Sequence, residues 1–344
     1  MINCNEEKRI TMENCESMEH SENKNNEMKN NNIKVVFMGT PDFAKGCLEK
    51  LYDKNFNILA CFTNPDKPAG RGMKVKYSAV KEYALSKDIP VYQPENVKNN
   101  EEVVNLLKSL KPDYLVVVAY GKILPKEILD IPKYAPINVH ASLLPKYRGS
   151  APMQWAIVNG EKITGVTTML MDIGMDTGDM LLKKEVKIED NDNLETIHDK
   201  LMVVGADLLV KTLIDFTDGK IVPQKQGDDF SLAPMIKRET TKIDFNKNCR
   251  EIFNFVRGFS PFPGTYVNTS DGKVFKIFDV GYEKSDEYSK FENGVVCFVD
   301  KSNLKIKCSD GVISIKVIQP QNSKRMDITA FNNGNKLEVG YNFI

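Results

Sequence analysis

The chain has 344 residues, enough for two domains, and its hydrophobic and charged contents of 41% and 27% are ordinary for a globular protein. Its 47 basic residues equal its 47 acidic residues, so contact with a nucleic acid would require a local basic patch. The apolar runs are far shorter than the roughly 18 residues of a membrane span, which excludes a transmembrane segment.

The seven cysteines favour a reducing compartment. They form no CxxC pair and no even framework, so free thiols are expected. Cys47 and Cys61 have apolar sequence neighbours, which favours core packing over a nucleophilic role. We expect a cytoplasmic, monomeric protein without a membrane partner; a bacterial cytoplasm and an organelle both remain open.

Residues 1–32 differ in composition from the rest of the chain. They are rich in Asn and Glu and nearly free of large apolar side chains, so they cannot bury enough surface to order themselves. The segment lacks the apolar core of a signal peptide, and its acidic residues outnumber its basic ones, unlike those of a transit peptide. We expect a disordered N-terminal tail, or a start as late as Met28.

Residues 33–220 alternate short apolar runs with helical patterns. Residues 113–119 are nearly all apolar, which predicts a strand buried on both faces. Alternating strands and helices predict a parallel sheet with helices on both faces. The predicted strands are residues 33–38, 57–62, 90–92, 113–119, 137–140 and 166–171; the predicted helices begin near residue 41 and span residues 78–87, 101–110 and 153–158.

A long helix completes this region. Asp192, with Glu195 three residues later, resembles a capping box at its start. The apolar spacing continues through Leu213, and the helix is expected to stop before Gly219. Residues 221–240 are mixed and polar with two prolines, which is typical of a linker.

Residues 241–344 have a different character. A helix is expected near residues 247–257, and short β-type runs separated by Gly, Asp and Asn follow it. Short strands at this spacing predict a small barrel. The runs are residues 265–268, 274–279, 294–299, 304–308 and 312–318.

Polar residues end the strand predicted at residues 137–140. Asn138 and His140 are two apart, so both side chains lie on one side of a strand. At the carboxyl end of a parallel strand they would point into the crevice where such sheets bind ligands. An amide N–H and an imidazolium together can stabilise a developing oxyanion, although a lone histidine is more often structural.

Two loops add further candidates. Residues 172–179 contain two glycines that allow sharp bends, and a carboxylate there could orient His140 and keep it charged; an acidic surface turn is the simpler interpretation. Residues 64–76 form a Gly- and Pro-punctuated loop suited to a phosphate backbone, or a solvated surface loop. Its basic residues are Lys67, Arg71, Lys74 and Lys76.

Together these segments resemble the methionyl-tRNA formyltransferase family, from residue 33 to the C-terminus. Residues 138–149, followed by Ala151 and Pro152, are similar to the signature of folate-dependent formyl carriers. Residues 171–180 are similar to the family's Asp loop, and residues 118–125 to its folate-pocket loop. Each motif is moderately specific alone, and their order and spacing make the set strongly specific.

The resemblance implies a role for each site residue. Asn138, His140 and Asp176 match the catalytic trio. The implied tetrahydrofolate contacts are Ser142, Leu143, Leu144 and Pro145, with Tyr120, Ile123 and Leu124 from the pterin-pocket loop. The basic residues of the loop at 64–76 are implied in tRNA binding. The implied fold is α/β, a Rossmann-like parallel-sheet formyltransferase domain followed by a small OB-like β-barrel domain.

The implied reaction moves the formyl group of 10-formyltetrahydrofolate to the α-amine of methionyl initiator tRNA, for translation initiation. The partners are that tRNA and tetrahydrofolate. Direct attack of the amine needs neither a metal ion nor a covalent enzyme intermediate. Asn138 and a protonated His140 would donate hydrogen bonds to the negative oxygen, and Asp176 would hold His140 and relay a proton.

Two positions depart from the family pattern, and three rival functions require different sequence features. Ala141 stands where Gly is usual, which strains the site only if its φ is positive. Phe262 replaces the usual Trp of a Pro-x-Pro turn. A sugar-amine formyltransferase would lack the Pro-Ala-Gly-Arg-Gly loop, an RNA-binding module would have a broken trio, and a nicotinamide dehydrogenase needs a fuller glycine fingerprint than Gly39 provides.

Overall fold

The computed structural model describes residues 30–69, 74–334 and 337–344. These residues form two compact units that alternate along the sequence. The first contains the described residues up to His140, with Val166–Lys184 and Met202–Gln226. The second contains Ala141–Gly165, Glu185–Leu201 and Gly227–Ile344, so it includes two segments of the region predicted as the catalytic domain. No helix of the described part is long and apolar enough to cross a bilayer.

Nine strands occur before the long helix in the part of the chain that the structure describes. They are β1 (Lys34–Gly39), β2 (Asn57–Phe62), β3 (Lys67–Ala69), β4 (Lys74–Lys76), β5 (Val91–Tyr92), β6 (Tyr114–Val118), β7 (Ala135–His140), β8 (Ile163–Leu170) and β9 (Met180–Lys187). Seven of them form a sheet in the order β5-β2-β1-β6-β7-β8-β9. The first five strands in this order are parallel to their neighbours, and β8 is antiparallel to β7. The α/β prediction is confirmed.

The helices follow the predicted alternation. They are α1 (Asp42–Asp53), α2 (Ala79–Ser86), α3 (Glu101–Leu110), α4 (Lys126–Leu129), α5 (Pro152–Val158), α6 (Leu194–Thr217), α7 (Cys249–Gly258) and α8 (Ile328–Gly334), with a 3-10 turn at Glu239–Thr241. Helix α3 has its predicted bounds because Asn100 caps it: the Asn100 Oδ1 accepts a hydrogen bond from Val103 N at 3.1 Å.

Close packing at the centre of the sheet requires a glycine at position 39. All five residues of β6 are buried, as expected for a strand covered on both faces. A Cβ on Gly39 would lie 2.6 Å from the Cβ of Ala44 and 2.8 Å from the oxygen of Val118. Gly39 therefore permits the close approach of β1, α1 and β6.

The start of α6 differs from the prediction by one residue. The Asn193 Oδ1 accepts a hydrogen bond from Thr196 N, and the Thr196 Oγ1 accepts one from Asn193 N, both at 3.0 Å. The cap is therefore an Asn193–Thr196 pair, and the predicted Asp192–Glu195 box is wrong. Asp192 is buried and instead accepts bonds from Glu189 N and the Lys200 ammonium.

The second unit contains an antiparallel sheet of short strands. They are β10 (Thr265–Asn268), β11 (Val274–Lys284), β12 (Val296–Val299), β13 (Leu304–Cys308), β14 (Gly311–Pro320) and β15 (Met326–Asp327). The order is β10-β11-β14-β13-β12, and β15 pairs with β14. Bridges from Thr269 to Phe343 and from Val295 to Asn342 place the C-terminal segment against both edge strands. This closure confirms the predicted barrel.

The end of the predicted tail is ordered. Asn30 is buried, and its side-chain amide donates a hydrogen bond to the oxygen of Lys54 at 2.9 Å. Asn30 therefore packs against the chain inside the segment predicted as the tail, residues 1–32. Residues 1–29 lie outside the described part.

Candidate active site

Strand β7 positions the first two site residues. It is held on both sides, because Asn138 lies opposite Val117 of β6 and opposite Met169 of β8. His140, at the end of the strand, lies opposite Thr167. His140 is buried with 6% exposure, and Asn138 is half-buried. As predicted for residues two apart on a strand, both side chains leave the same face.

Asp176 lies beside His140. It belongs to the loop between β8 and β9, and its Oδ2 is 3.7 Å from the His140 Nδ1, an ion pair when the imidazole is protonated. The side chains are only 7% and 14% exposed, so little solvent screens the pair. The structure thus brings together the acid and the histidine that the family resemblance implied. Among the described residues, no group of three or more His, Cys, Asp or Glu could hold a metal ion.

The backbone of the Asp176 loop is in an uncommon conformation. Asp176 has a φ of 54°, a left-handed region that Asp tolerates better than most side chains. By contrast, Ala141 is not among the described non-glycine residues with a positive φ, so the strain considered for its methyl group does not arise. The departure from Gly at this position is therefore sterically acceptable.

Gln226 holds the loop in place. Its side-chain amide donates to the oxygens of Asp176 and Gly178, both at 2.8 Å. Inside the loop, the Asp172 Oδ1 accepts bonds from Gly174 N and the Thr177 hydroxyl. Sequence reasoning missed Gln226 because it lies 50 residues from Asp176 in a polar stretch without a motif.

The loop after β6 carries the predicted pterin contacts. Ala119 and Gly121 both have positive φ, so the chain turns sharply here. Leu124 is buried in a core cluster with Tyr120, whereas Ile123 is 83% exposed. Burial raises the pKa of Tyr120 to about 12, and its buried hydroxyl has no hydrogen-bond partner among the described residues. The exposed Ile123 and the unpartnered hydroxyl fit a heterocyclic ligand at this loop.

The segment from Ser142 to Pro145 lies in the second unit. Ser142 and Leu144 are buried, and Leu143 and Pro145 are half-buried. The Ser142 hydroxyl donates to the oxygen of Lys146 at 2.6 Å, so it stabilises the turn that follows. The peptide bond between Leu144 and Pro145 is cis.

The basic loop contains a short hairpin. Strand β3 pairs with β4 so that Lys67 lies opposite Lys76 and Ala69 opposite Lys74. Lys67 and Lys76 are exposed, and like charges directly opposite one another are destabilising unless an anion neutralises them. Arg71 lies outside the described residues. The hairpin was not predicted, since Pro68 is unfavourable in most strands.

Two family models match the chain. The formyl transferase family matches residues 32–213, and the formyl transferase C-terminal domain matches residues 235–336. A methionyl-tRNA formyltransferase of Clostridium beijerinckii is 49% identical over 306 residues, which cover 89% of this chain and 98% of that protein. The chain belongs to the methionyl-tRNA formyltransferase family.

Solved structures share the fold of this family member. A sugar 3N-formyl transferase, WlaRD, has a TM-score of 0.61 at 21% identity, covering 85% of this chain and 99% of that one. An N-formyltransferase from Helicobacter canadensis has a TM-score of 0.59 at 20% identity, covering 86% of this chain and all of that one. The first was crystallised in the presence of dTDP and 5-N-formyl-THF, and the second in complex with folinic acid and dTDP-3-aminofucose.

Proposed function

We propose that Asn138, His140 and Asp176 are the catalytic residues of a formyl transfer from 10-formyltetrahydrofolate to the α-amine of methionyl initiator tRNA. The observation that carries this assignment is the burial of His140 at the end of β7 with Asp176 3.7 Å away. The enzyme is a one-carbon transferase of translation initiation; its 49% identity to a methionyl-tRNA formyltransferase supports this over the sugar-amine alternative.

The transfer forms one carbon–nitrogen bond and breaks another. An α-amine has a pKa of roughly 7.7–8, so much of it is nucleophilic near neutral pH, and it attacks the formyl carbon. The Asn138 amide and the His140 imidazole donate hydrogen bonds to the formyl oxygen, which becomes negative. Asp176 orients His140 and relays the proton lost by the amine to the departing folate nitrogen, so the charges balance.

The donor contacts remain predictions. In the first unit, the exposure of Ile123 supports contact with the pterin, while the burial of Tyr120 and Leu124 supports a role in shaping the loop. In the second unit, Leu143 and Pro145 are the partly accessible members of the predicted segment, and Ser142 and Leu144 support its turn.

Substitution of the catalytic residues tests the assignment. His140→Ala or Asp176→Asn should lower turnover with methionyl-tRNA by at least about 100-fold, because each removes an oxyanion donor or its orienting partner. The matched control is His198→Ala, which removes a histidine that contacts Asp199 on α6, outside the proposed centre. It should keep wild-type turnover, and all three variants should keep the wild-type melting temperature.

Two results would contradict the proposal in different ways. A folded His140→Ala variant with near wild-type turnover removes that residue from catalysis. Folded wild-type enzyme that transfers no formyl group to methionyl-tRNA, but does transfer one to an amino sugar nucleotide, favours the sugar-amine function.

We also propose that the hairpin of β3 and β4 contacts tRNA phosphates through Lys67 and Lys76, with Lys74 and Arg71 from the same loop. The like-charged pair of Lys67 and Lys76 supports an anionic partner. In a Lys67→Ala/Lys76→Ala variant, tRNA affinity should fall and the slope of log affinity against log salt should decrease by about 1 per lost contact.

The matched control removes two exposed lysines elsewhere in the same unit, Lys98 and Lys108. An equal loss of affinity and salt slope in this control would mean that net charge, and not the hairpin, binds the RNA. The monomeric state and the cytoplasmic location remain predictions, and sedimentation velocity of the purified chain tests the former.

A further inference from the structure

Side-chain hydrogen bonds at the base of the basic hairpin join the segment before β3 to the segment after β4. The hydroxyls of Thr63 and Ser78 are 2.8 Å apart, and the Asp66 carboxylate accepts a hydrogen bond from the Lys81 ammonium. Each pair joins residues 15 apart, one before β3 and one after β4. Ser78 is also the N-cap of α2, so the chain that leaves β4 is fixed at the start of this helix.

Gln93 completes the arrangement around Asp66. Its amide nitrogen donates to the Asp66 Oδ1 at 2.9 Å, and its amide oxygen accepts from Lys81 at 2.7 Å. Every polar atom of the Gln93 side chain is engaged, which defines a single orientation for it. Hydrogen bonds from Lys81 and Gln93 hold the pKa of Asp66 below its usual value, so it is a carboxylate at neutral pH. We call Asp66, Lys81 and Gln93 the clamp.

The clamp is largely shielded from solvent. The side chains of Lys81 and Asp66 are 13% and 21% exposed, in contrast to the 73% and 59% of the surface pair Lys126–Asp130. Removal of one partner from a shielded pair leaves an unpaired charge, whereas an exposed pair contributes little. The base of the hairpin therefore depends on all three side chains.

Asn64 connects the clamp to the edge of the sheet. The Gln93 amide donates to the Asn64 oxygen at 2.8 Å. The Asn64 side-chain amide in turn donates to the oxygen of Tyr120 at 2.9 Å and to the Thr40 hydroxyl at 3.1 Å. Tyr120 belongs to the loop predicted to hold the pterin, so Asn64 contacts the bases of two loops with different predicted ligands.

We propose that Asp66, Lys81 and Gln93 are positioning residues that fix the basic hairpin for the acceptor tRNA, and that Asn64 couples the hairpin base to the Tyr120 loop. This inference rests on the proposed function of the hairpin. A cationic loop on a mobile base would lose more conformational entropy on binding, and a base fixed in advance lowers that cost.

Kinetics with each substrate varied in turn tests the clamp. Asp66→Asn and Lys81→Met should each lower kcat/KM for methionyl-tRNA by roughly 10-fold to 100-fold, the scale of a misplaced positioning element. The KM for 10-formyltetrahydrofolate should stay within about 2-fold, since these side chains do not contact the Tyr120 loop. The double variant should be no worse than the poorer single variant, because residues that act as a unit are not additive.

Asn64→Asp tests the coupling separately. The new carboxylate cannot donate to the Tyr120 oxygen, so the KM values for both substrates should rise together. The charge-matched controls are Lys126→Met and Asp130→Asn, which break an exposed ion pair of the same unit and should leave both kinetic constants unchanged.

Three outcomes overturn this inference. The first is an unchanged kcat/KM for tRNA in folded Asp66→Asn. The second is a fall in kcat/KM in the clamp variants that is the same for both substrates and follows a lowered melting temperature. The third is an equal fall in kcat/KM in the Lys126 or Asp130 control. If Lys81→Met does not fold, Asp66→Asn still decides the matter. Wild-type enzyme inactive on methionyl-tRNA contradicts the proposed function instead, which keeps the two failures distinct.

Discussion

At the scale of single residues, the position of Asp176 depends on Gln226, which lies 50 residues away in the sequence. Gln226 donates two hydrogen bonds to the Asp176 loop, whose backbone has a left-handed φ at Asp176 itself. Such a conformation persists only where its surroundings hold it. Gln226 is therefore a positioning residue for the carboxylate.

Gln226→Leu should lower kcat by about 10-fold, equivalent to 1.4 kcal/mol and to the net contribution of one or two hydrogen bonds. The KM values for both substrates should be unchanged, since the loop orients a catalytic group. Steady-state kinetics measures this separation. Gln224→Leu, an exposed glutamine two residues away, is the matched control, and a parallel fall in its kcat would contradict the assignment.

The sequence predicts the residues of this site unequally. Strand periodicity predicts that Asn138 and His140 share one face at the ligand-binding edge of a parallel sheet, whereas their catalytic role rests on the family resemblance. Asp176 needed the family resemblance, since an acidic loop is usually a surface turn. Gln226 and Gln93 could not be found, because their contacts join segments distant in sequence.

At the scale of elements, the N-terminus of α6 offers a direct comparison between two candidate caps. Asn193→Ala should destabilise the protein by about 1 kcal/mol, because it removes the acceptor for the Thr196 N–H. Glu195→Ala should be nearly neutral, as Glu195 is not the capping partner. Chemical denaturation monitored by circular dichroism measures both, and an equal loss in the two variants would restore the Asp192–Glu195 box.

Elements were predictable where one periodicity dominates. Residues 101–110 and 57–62 match α3 and β2 residue for residue, because their apolar spacing favours one structure. Strand β9 was missed because four of its last six residues, 182–187, are charged, which hides the alternation. The hairpin of β3 and β4 was read as a loop because lysine and proline are weak strand formers.

At the scale of the whole molecule, the reactivity of the buried cysteine thiols measures how readily each of the two units unfolds. The five described cysteines are all buried: Cys47 and Cys61 in the first unit, and Cys249, Cys297 and Cys308 in the second. Burial raises the pKa of Cys47 to about 12 and that of Cys249 to about 11. The reactive thiolate is therefore scarce at pH 8 in the folded state.

A Cys4→Ser/Cys15→Ser variant should react with less than one equivalent of Ellman's reagent at pH 8 when folded, and with five in denaturant. Rates at low urea should rise first for whichever unit opens more easily. Fast reaction of several thiols without denaturant would contradict the burial of the two cores.

The closure of the barrel makes two neighbouring residues protect both of its edges. Phe343 bridges Thr269 beside β10, and Asn342 bridges Val295 beside β12. Unpaired strand edges are sites of aggregation. Loss of residues 342 and 343 would therefore open two edges at once, and a variant without them should aggregate.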